Sequence, residues 1–124
     1  MEKTMLVIED YQPLLQAIVA KATKEGILCL EARSADEAIQ MLSLHKNVSL
    51  IWLDHHLLGE GSGIDFLTTV RKEESYKKIP VIVVSNETNL SKTAEYESLG
   101  VVAYFSKAES KLSDIMGKVL QLLS

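Results

Sequence analysis

The stretch Val48-Ser-Leu-Ile-Trp-Leu-Asp54 decides how this chain folds. Five of its seven side chains are apolar, most of them branched or aromatic, which suits a buried strand, and the run stops on an acid. Three further runs share that plan. Leu6-Val-Ile8 ends at Glu9 and Asp10, Val81-Ile-Val-Val84 ends at Ser85, and Val102-Ala-Tyr-Phe105 leads to Ser106 and Lys107. In a parallel sheet such strand ends share one edge. Three carboxylates, a hydroxyl and an amine are therefore expected to meet there, a grouping that suits a divalent metal ion and a phosphoryl group.

Amphipathic segments fill the space between the runs. Thr4 to Ile8 is the first strand. Pro13 to Glu25 reads as a helix carrying Leu14, Leu15, Ile18, Val19 and Ala22 on one side, with Pro13 in its first turn and Gly26 as its stop. Ile27 to Ala32 is a strand. Ser34 caps a second helix, with Glu37 at the capping-box position and Ala35, Ala38, Ile39 and Leu42 facing inward. Val48 to Leu53 is the third strand. The loop Gly59 to Gly63 leads into a helix bearing Ile64, Phe66, Leu67 and Val70. Pro80 marks the entry to the strand Val81 to Val84. Leu90 to Leu99 is helical and ends at Gly100. Val102 to Phe105 is the fifth strand, and Ser110 is expected to cap a last helix bearing Leu112, Ile115, Met116, Val119, Leu122 and Leu123. A strand followed by a helix, five times over, predicts an α/β parallel sheet with helices on both faces. Right-handed crossovers restrict the topology. Ligands in such sheets bind beyond the carboxyl ends of the strands, where strand order reverses.

Composition sets outer limits. The 124 residues suit one domain, with 47% hydrophobic content and a net charge of −4. Acids and bases are interspersed, and no basic stripe argues for direct nucleic-acid binding. The N-terminal apolar run is too short for a signal peptide, and no stretch reaches membrane-spanning length. The single Cys29 reads as a small buried hydrophobe, since it has no partner for a disulfide or a metal cluster. A reducing cytoplasm fits these features.

Glu9, Asp10 and Asp54 supply hard oxygen ligands of the kind Mg²⁺ takes. Asp54 is placed to attack phosphorus, because a carboxylate can form an acyl phosphate. Lys107 would balance the product's charge, and Ser85 would donate to one of its oxygens. The order of these groups resembles a receiver domain of a two-component response regulator, over essentially the whole of residues 1–124. The matching residues are Glu9-Asp10, Asp54, Ser85, Tyr104 and Lys107.

That resemblance implies a doubly wound (βα)5, flavodoxin-like three-layer sandwich with sheet order 2-1-3-4-5. It implies a regulatory protein rather than an enzyme in the usual sense, one that catalyses its own phosphotransfer and slow dephosphorylation. Asp54 would accept a phosphoryl group from a sensor histidine kinase or a histidine phosphotransfer protein. Glu9, Asp10, Asp54 and the backbone carbonyl of His56 would hold Mg²⁺. Ser85 and Tyr104 would move together on phosphorylation and remodel the face made by helix 4, strand 5 and helix 5. The output would be a downstream effector protein or domain, a homodimer, or a phosphorelay step. A receiver-shaped interaction module that acts without phosphorylation is the alternative.

Four positions depart from the family pattern. Leu58 stands where receivers usually have proline. The glycine that opens helix 3 comes one residue late, at Gly63, so the loop from Leu58 to Ser62 is expected to carry an insertion. Asn86 replaces a small residue after Ser85 and is expected to crowd the phosphoryl entrance. Lys107-Ala108 replaces a Lys-Pro pair whose bond is normally cis. A cis bond before Ala108 costs about 3–4 kcal/mol, so this loop is expected to be rearranged or strained. His56 and Glu87 are expected to border the path of water to the phosphoryl group. Other chemistries fit less well. Haloacid-dehalogenase phosphatases need a second Asp two residues after the nucleophile, where this chain has His56. Neighbouring side chains in an extended segment point apart, which argues against a transition-metal site at His55 and His56. Gly59, Gly61 and Gly63 read as a tight turn rather than a dinucleotide cradle.

Overall fold

The computed structural model describes residues 2–124. It contains β1 (Lys3–Ile8), α1 (Gln12–Lys24), β2 (Ile27–Ala32), α2 (Ala35–Leu44), β3 (Leu50–Leu53), α3 (Gly63–Lys72), β4 (Val81–Ser85), α4 (Leu90–Ser98), β5 (Ala103–Ser106) and α5 (Leu112–Leu123). All four strand pairings are parallel, and the sheet order is β2-β1-β3-β4-β5. The expected doubly wound (βα)5 fold is therefore present. No helix among the described residues is long and apolar enough to cross a membrane.

The period of two along each strand splits the core into two layers. Leu6, Ile8, Ile51, Leu53, Val81 and Val83 pack with buried residues of α2, α3 and α4, among them Ala38, Phe66, Leu67 and Tyr96. Met5, Val7, Leu50, Trp52, Ile82 and Val84 pack with Leu15 and Ile18 of α1 and Ile115 and Val119 of α5. Strands buried on both faces read as continuous apolar runs, which is why β3 and β4 stand out in the sequence.

Helix ends follow local chemistry. Gly26 and Gly100 adopt φ of 80° and 77° just beyond α1 and α4. The Ser34 hydroxyl accepts the Glu37 N–H at 3.1 Å, as expected, but Glu37 reaches back to the Arg33 N–H at 2.7 Å. A complete capping box instead starts α3, where Ser62 and Asp65 bond reciprocally. Ser110 does not cap α5. Lys111 occupies the cap position and makes no side-chain cap bond.

Strand register positions the site. Ile8 pairs with Leu53, so the residues that follow, Glu9 and Asp54, leave the sheet side by side. The Asp54 N–H donates to the Ile8 carbonyl at 3.0 Å. Ser85 pairs with Ser106, and the Lys107 N–H then donates to the Ser85 carbonyl at 3.0 Å. Strand order reverses between β1 and β3, the place where ligands of such sheets bind.

Candidate functional site

Asp54 is 3% exposed and both its oxygens are engaged. Oδ1 accepts the His55 N–H at 2.7 Å, and Oδ2 accepts from Lys107 Nζ at 2.7 Å. Lys107 Nζ also lies 2.8 Å from Glu9 Oε1. Burial opposes the charge on Lys107, but its bonds to Asp54 and Glu9 outweigh that and raise its pKa.

Glu9 is fully buried, and its Oε2 accepts the Tyr11 N–H at 3.0 Å. Burial pushes its carboxyl up to about 7, against the pull of Lys107 and the Tyr11 N–H, and the nearby Asp54 charge adds to the rise. Glu9 Oε1 has no aligned hydrogen-bond donor despite its closeness to the ammonium. Oxygens of Glu9, Asp10 and Asp54 lie within 4.8 Å of one another. Arg33 anchors the loop that carries Asp10, donating from Nε and Nη2 to the Asp10 carbonyl at 3.2 and 2.8 Å. An all-oxygen set of three close carboxylates, two of them buried, fits a hard divalent cation.

Ser85 is fully buried at the end of β4, where its hydroxyl accepts the Glu87 N–H at 3.1 Å. Tyr104 donates its hydroxyl to the Glu87 carbonyl at 2.9 Å. Ser85 and Tyr104 thus meet through one residue of the β4–α4 loop. Burial raises the Tyr104 pKa, so the hydroxyl keeps its proton as donor.

The positions that depart from the family pattern use their backbone amides. The Leu58 N–H donates to the Arg33 carbonyl at 2.9 Å, tying the loop to the end of β2 through an isolated bridge between Ser34 and Leu58. The Ala108 N–H donates to Asn86 Oδ1 at 2.9 Å. No cis peptide bond occurs among the described residues, so the Lys107–Ala108 bond is trans. A proline could make neither hydrogen bond. The two departures Asn86 and Ala108 are therefore bonded to each other.

The histidines lie closer together than strand alternation implies. Strand β3 ends at Leu53, so His55 and His56 sit in a bend where alternation no longer applies. Their ring centroids are 4.9 Å apart in an edge-on arrangement. His55 is buried, and its Nδ1 lies 2.7 Å from the Tyr96 hydroxyl. His56 Nε2 lies 3.5 Å and His55 Nε2 lies 3.8 Å from Glu87 Oε2. Glu87 is held in turn by the Asn89 N–H, which donates to its Oε1 at 3.0 Å and lowers its pKa. Sequence reasoning expected His56 and Glu87 near the site but missed their contact, and it missed Tyr96 altogether.

Tyr96 also explains Gly63. Its φ is not in the left-handed region, so the reason for glycine is space. A Cβ there would collide with the Tyr96 hydroxyl and the Asp54 carbonyl oxygen. Gly59 and Gly61, with φ of 71° and 93°, are the turn glycines. Gly63→Ala is expected to destabilise the fold by about 1–3 kcal/mol, the usual cost of overpacking. A urea midpoint equal to the parent's would show that the loop yields freely.

Comparison with known proteins gives this geometry a context. Residues 5–119 match the response regulator receiver domain. A chemotaxis protein CheY homolog of Campylobacter jejuni is 27% identical over 120 residues, covering 91% of this chain and 92% of that protein. The phosphate regulon transcriptional regulatory protein PhoB of Escherichia coli is 32% identical over 85 residues, covering 68% of this chain. The chain spans between 36% and 45% of the length of the PhoB proteins that it matches. The structure of a response regulator receiver protein from Pseudomonas putida superposes with a TM-score of 0.86 at 28% identity, covering 99% of this chain and 96% of that one. A family match across nearly the whole chain and this fold lead to one conclusion: the chain belongs to the response regulator receiver domain family.

Proposed function

We propose that this receiver is a phosphorylation-dependent signalling switch whose phosphoacceptor is Asp54. The observation that carries the reading is the contact of Lys107 Nζ with Asp54 and Glu9, at 2.7 and 2.8 Å, in a cluster where oxygens of Glu9, Asp10 and Asp54 lie within 4.8 Å of one another. Glu9, Asp10, Asp54 and the backbone carbonyl of His56 would hold Mg²⁺, which when bound neutralises charge on the transferring phosphoryl group. An Asp54 oxygen attacks phosphorus in line, the O–P bond forms, and the P–N bond to the donor imidazole breaks. Lys107 keeps contact with the carboxylate and can take a phosphoryl oxygen. The Ser85 hydroxyl can donate to another.

Ser85 and Tyr104 share Glu87 as a partner, so a pull on the Ser85 hydroxyl reaches Tyr104 through one residue. The response would spread over α4, β5 and α5, where a downstream effector or a second copy would read it. The phosphoryl donor would be a sensor histidine kinase or a histidine phosphotransfer protein.

Incubation with a small acyl-phosphate donor and Mg²⁺, followed by intact mass measurement, tests this reading. One phosphoryl group on Asp54 is expected. A chain that remains unmodified by both the small donor and a phosphohistidine donor acts without phosphate.

We take the Asn86 bond to Ala108, the residue after Lys107, as a shield over the site that opens when a donor enters. Asn86→Ala removes it and is expected to speed labelling by roughly two- to tenfold, the kinetic equivalent of one neutral hydrogen bond. A slower rate in that variant would mean that Asn86 binds the donor instead of shielding the site.

A further inference from the structure

The pair of histidines and the glutamate beside the acid cluster form a second constellation with metal-ligand chemistry. Ligand atoms of His55, His56 and Glu87 all lie within 4.8 Å of one another. In a tetrahedral site with bonds of about 2.0–2.1 Å, ligand atoms stand about 3.3 Å apart. The separations of 3.5 and 3.8 Å to Glu87 Oε2 are close to that spacing. Most of the remaining adjustment falls on His56, whose side chain is 70% exposed and free to turn.

Two of the three ligands are already oriented. The Tyr96 hydroxyl holds Nδ1 of buried His55, which directs Nε2 at the carboxylate. The Asn89 N–H holds Glu87 Oε1, which leaves Oε2 facing both rings. Outer partners of this kind are what fix ligand geometry in metal sites. We infer that His55, His56 and Glu87 form a binding site for a divalent transition metal ion such as Zn²⁺, separate from the acid cluster. Two imidazoles and one carboxylate suit Zn²⁺, Ni²⁺ or Cu²⁺, and the imidazole nitrogens are poor ligands for Mg²⁺. Three protein ligands leave a fourth position for water. An ion there links the β3–α3 loop, which carries both histidines, to the β4–α4 loop, which carries Glu87 and holds Tyr104. The inference does not depend on phosphorylation of Asp54.

The test is calorimetric titration of the whole chain with Zn²⁺ in saturating Mg²⁺, alongside NMR of the histidine ring nitrogens. The expected result is one Zn²⁺ per chain, with shifts of the Nε2 signals of His55 and His56 and no shift for His45. His56→Ala and Glu87→Gln should each weaken binding at least tenfold. Both positions lie at the surface or its edge, so these variants should fold. Tyr96→Phe, which removes only the orienting hydroxyl, should weaken it about tenfold. His45→Ala, beside Thr4 at the opposite end of β1, should leave Zn²⁺ affinity unchanged. The inference is overturned if Zn²⁺ does not bind or is displaced by Mg²⁺. Loss of binding in His45→Ala, or full affinity in Glu87→Gln, would overturn it as well.

Discussion

Asp54→Asn is expected to abolish labelling by an acyl-phosphate donor while the chain keeps its fold. The amide has the shape of the carboxylate, and its oxygen can still accept either the His55 N–H or the Lys107 ammonium. What it loses is the negative charge and the nucleophilic lone pairs of an ionised carboxylate, so no covalent bond to phosphorus can form. The fold should hold because Asp54 lies beyond the last residue of β3, and its own N–H bond to Ile8 is unaffected. Mass spectrometry of parent and variant after equal exposure to donor and Mg²⁺ decides the matter. Equal phosphate on both proteins would move the acceptor elsewhere.

The second large effect is a pH dependence of stability that Mg²⁺ suppresses. Burial lifts the Glu9 carboxyl from 4.5 to about 7 in the folded chain. Below pH 4.5 both folded and unfolded chains hold this proton, and the contribution is fully present. As pH rises toward 7 the unfolded chain releases the proton while the folded chain retains it, so stability falls. Above 7 the loss is complete, on the order of 3 kcal/mol. A cation against Glu9 takes the place of the proton, so saturating Mg²⁺ should flatten the slope between pH 5 and 8. Urea midpoints across that range, with and without Mg²⁺, provide the measurement. Glu9→Gln should lose the slope in both conditions, and an unchanged slope in that variant would assign it to another group.

Much of this was legible in the sequence because one pattern dominates. Strands buried on both faces must be apolar throughout, so Leu50 to Leu53 and Val81 to Val84 announce themselves, and the first polar residue after each marks the edge where chemistry collects. The convergence of Glu9, Asp54 and Lys107 follows from parallel pairing alone. The mutual contacts of His55, His56, Glu87 and Tyr96 did not follow, because they arise in bends and on a helix face that no short-range period describes. Tyr96 reads as an ordinary buried aromatic until the space above Gly63 is known. Arg71 was invisible for the same reason. It donates to the carbonyls of Lys77, Ile79, Leu99 and Gly100 and so joins the ends of α3 and α4, a role that only the folded chain reveals. The missing cap at Ser110 shows the limit of local signals, since a serine two residues before Leu112 has the right chemistry but the wrong place on the turn.

The amides at Leu58 and Ala108 bear on how variants of this chain should be designed. Replacing unusual residues with the commonest one in a family is a frequent route to sturdier proteins. Here it works in reverse at two positions, because proline at either would delete a donor whose acceptor is already in place, at about 1 kcal/mol for each bond. Residues 86 and 108 are linked through one side chain and one backbone N–H. Any residue but proline at 108 keeps the N–H that Asn86 accepts, whereas changing Asn86 leaves that exposed N–H to water. In a lineage that keeps this loop, proline at 108 should therefore arrive only where residue 86 no longer accepts this hydrogen bond, which spans 22 residues of chain.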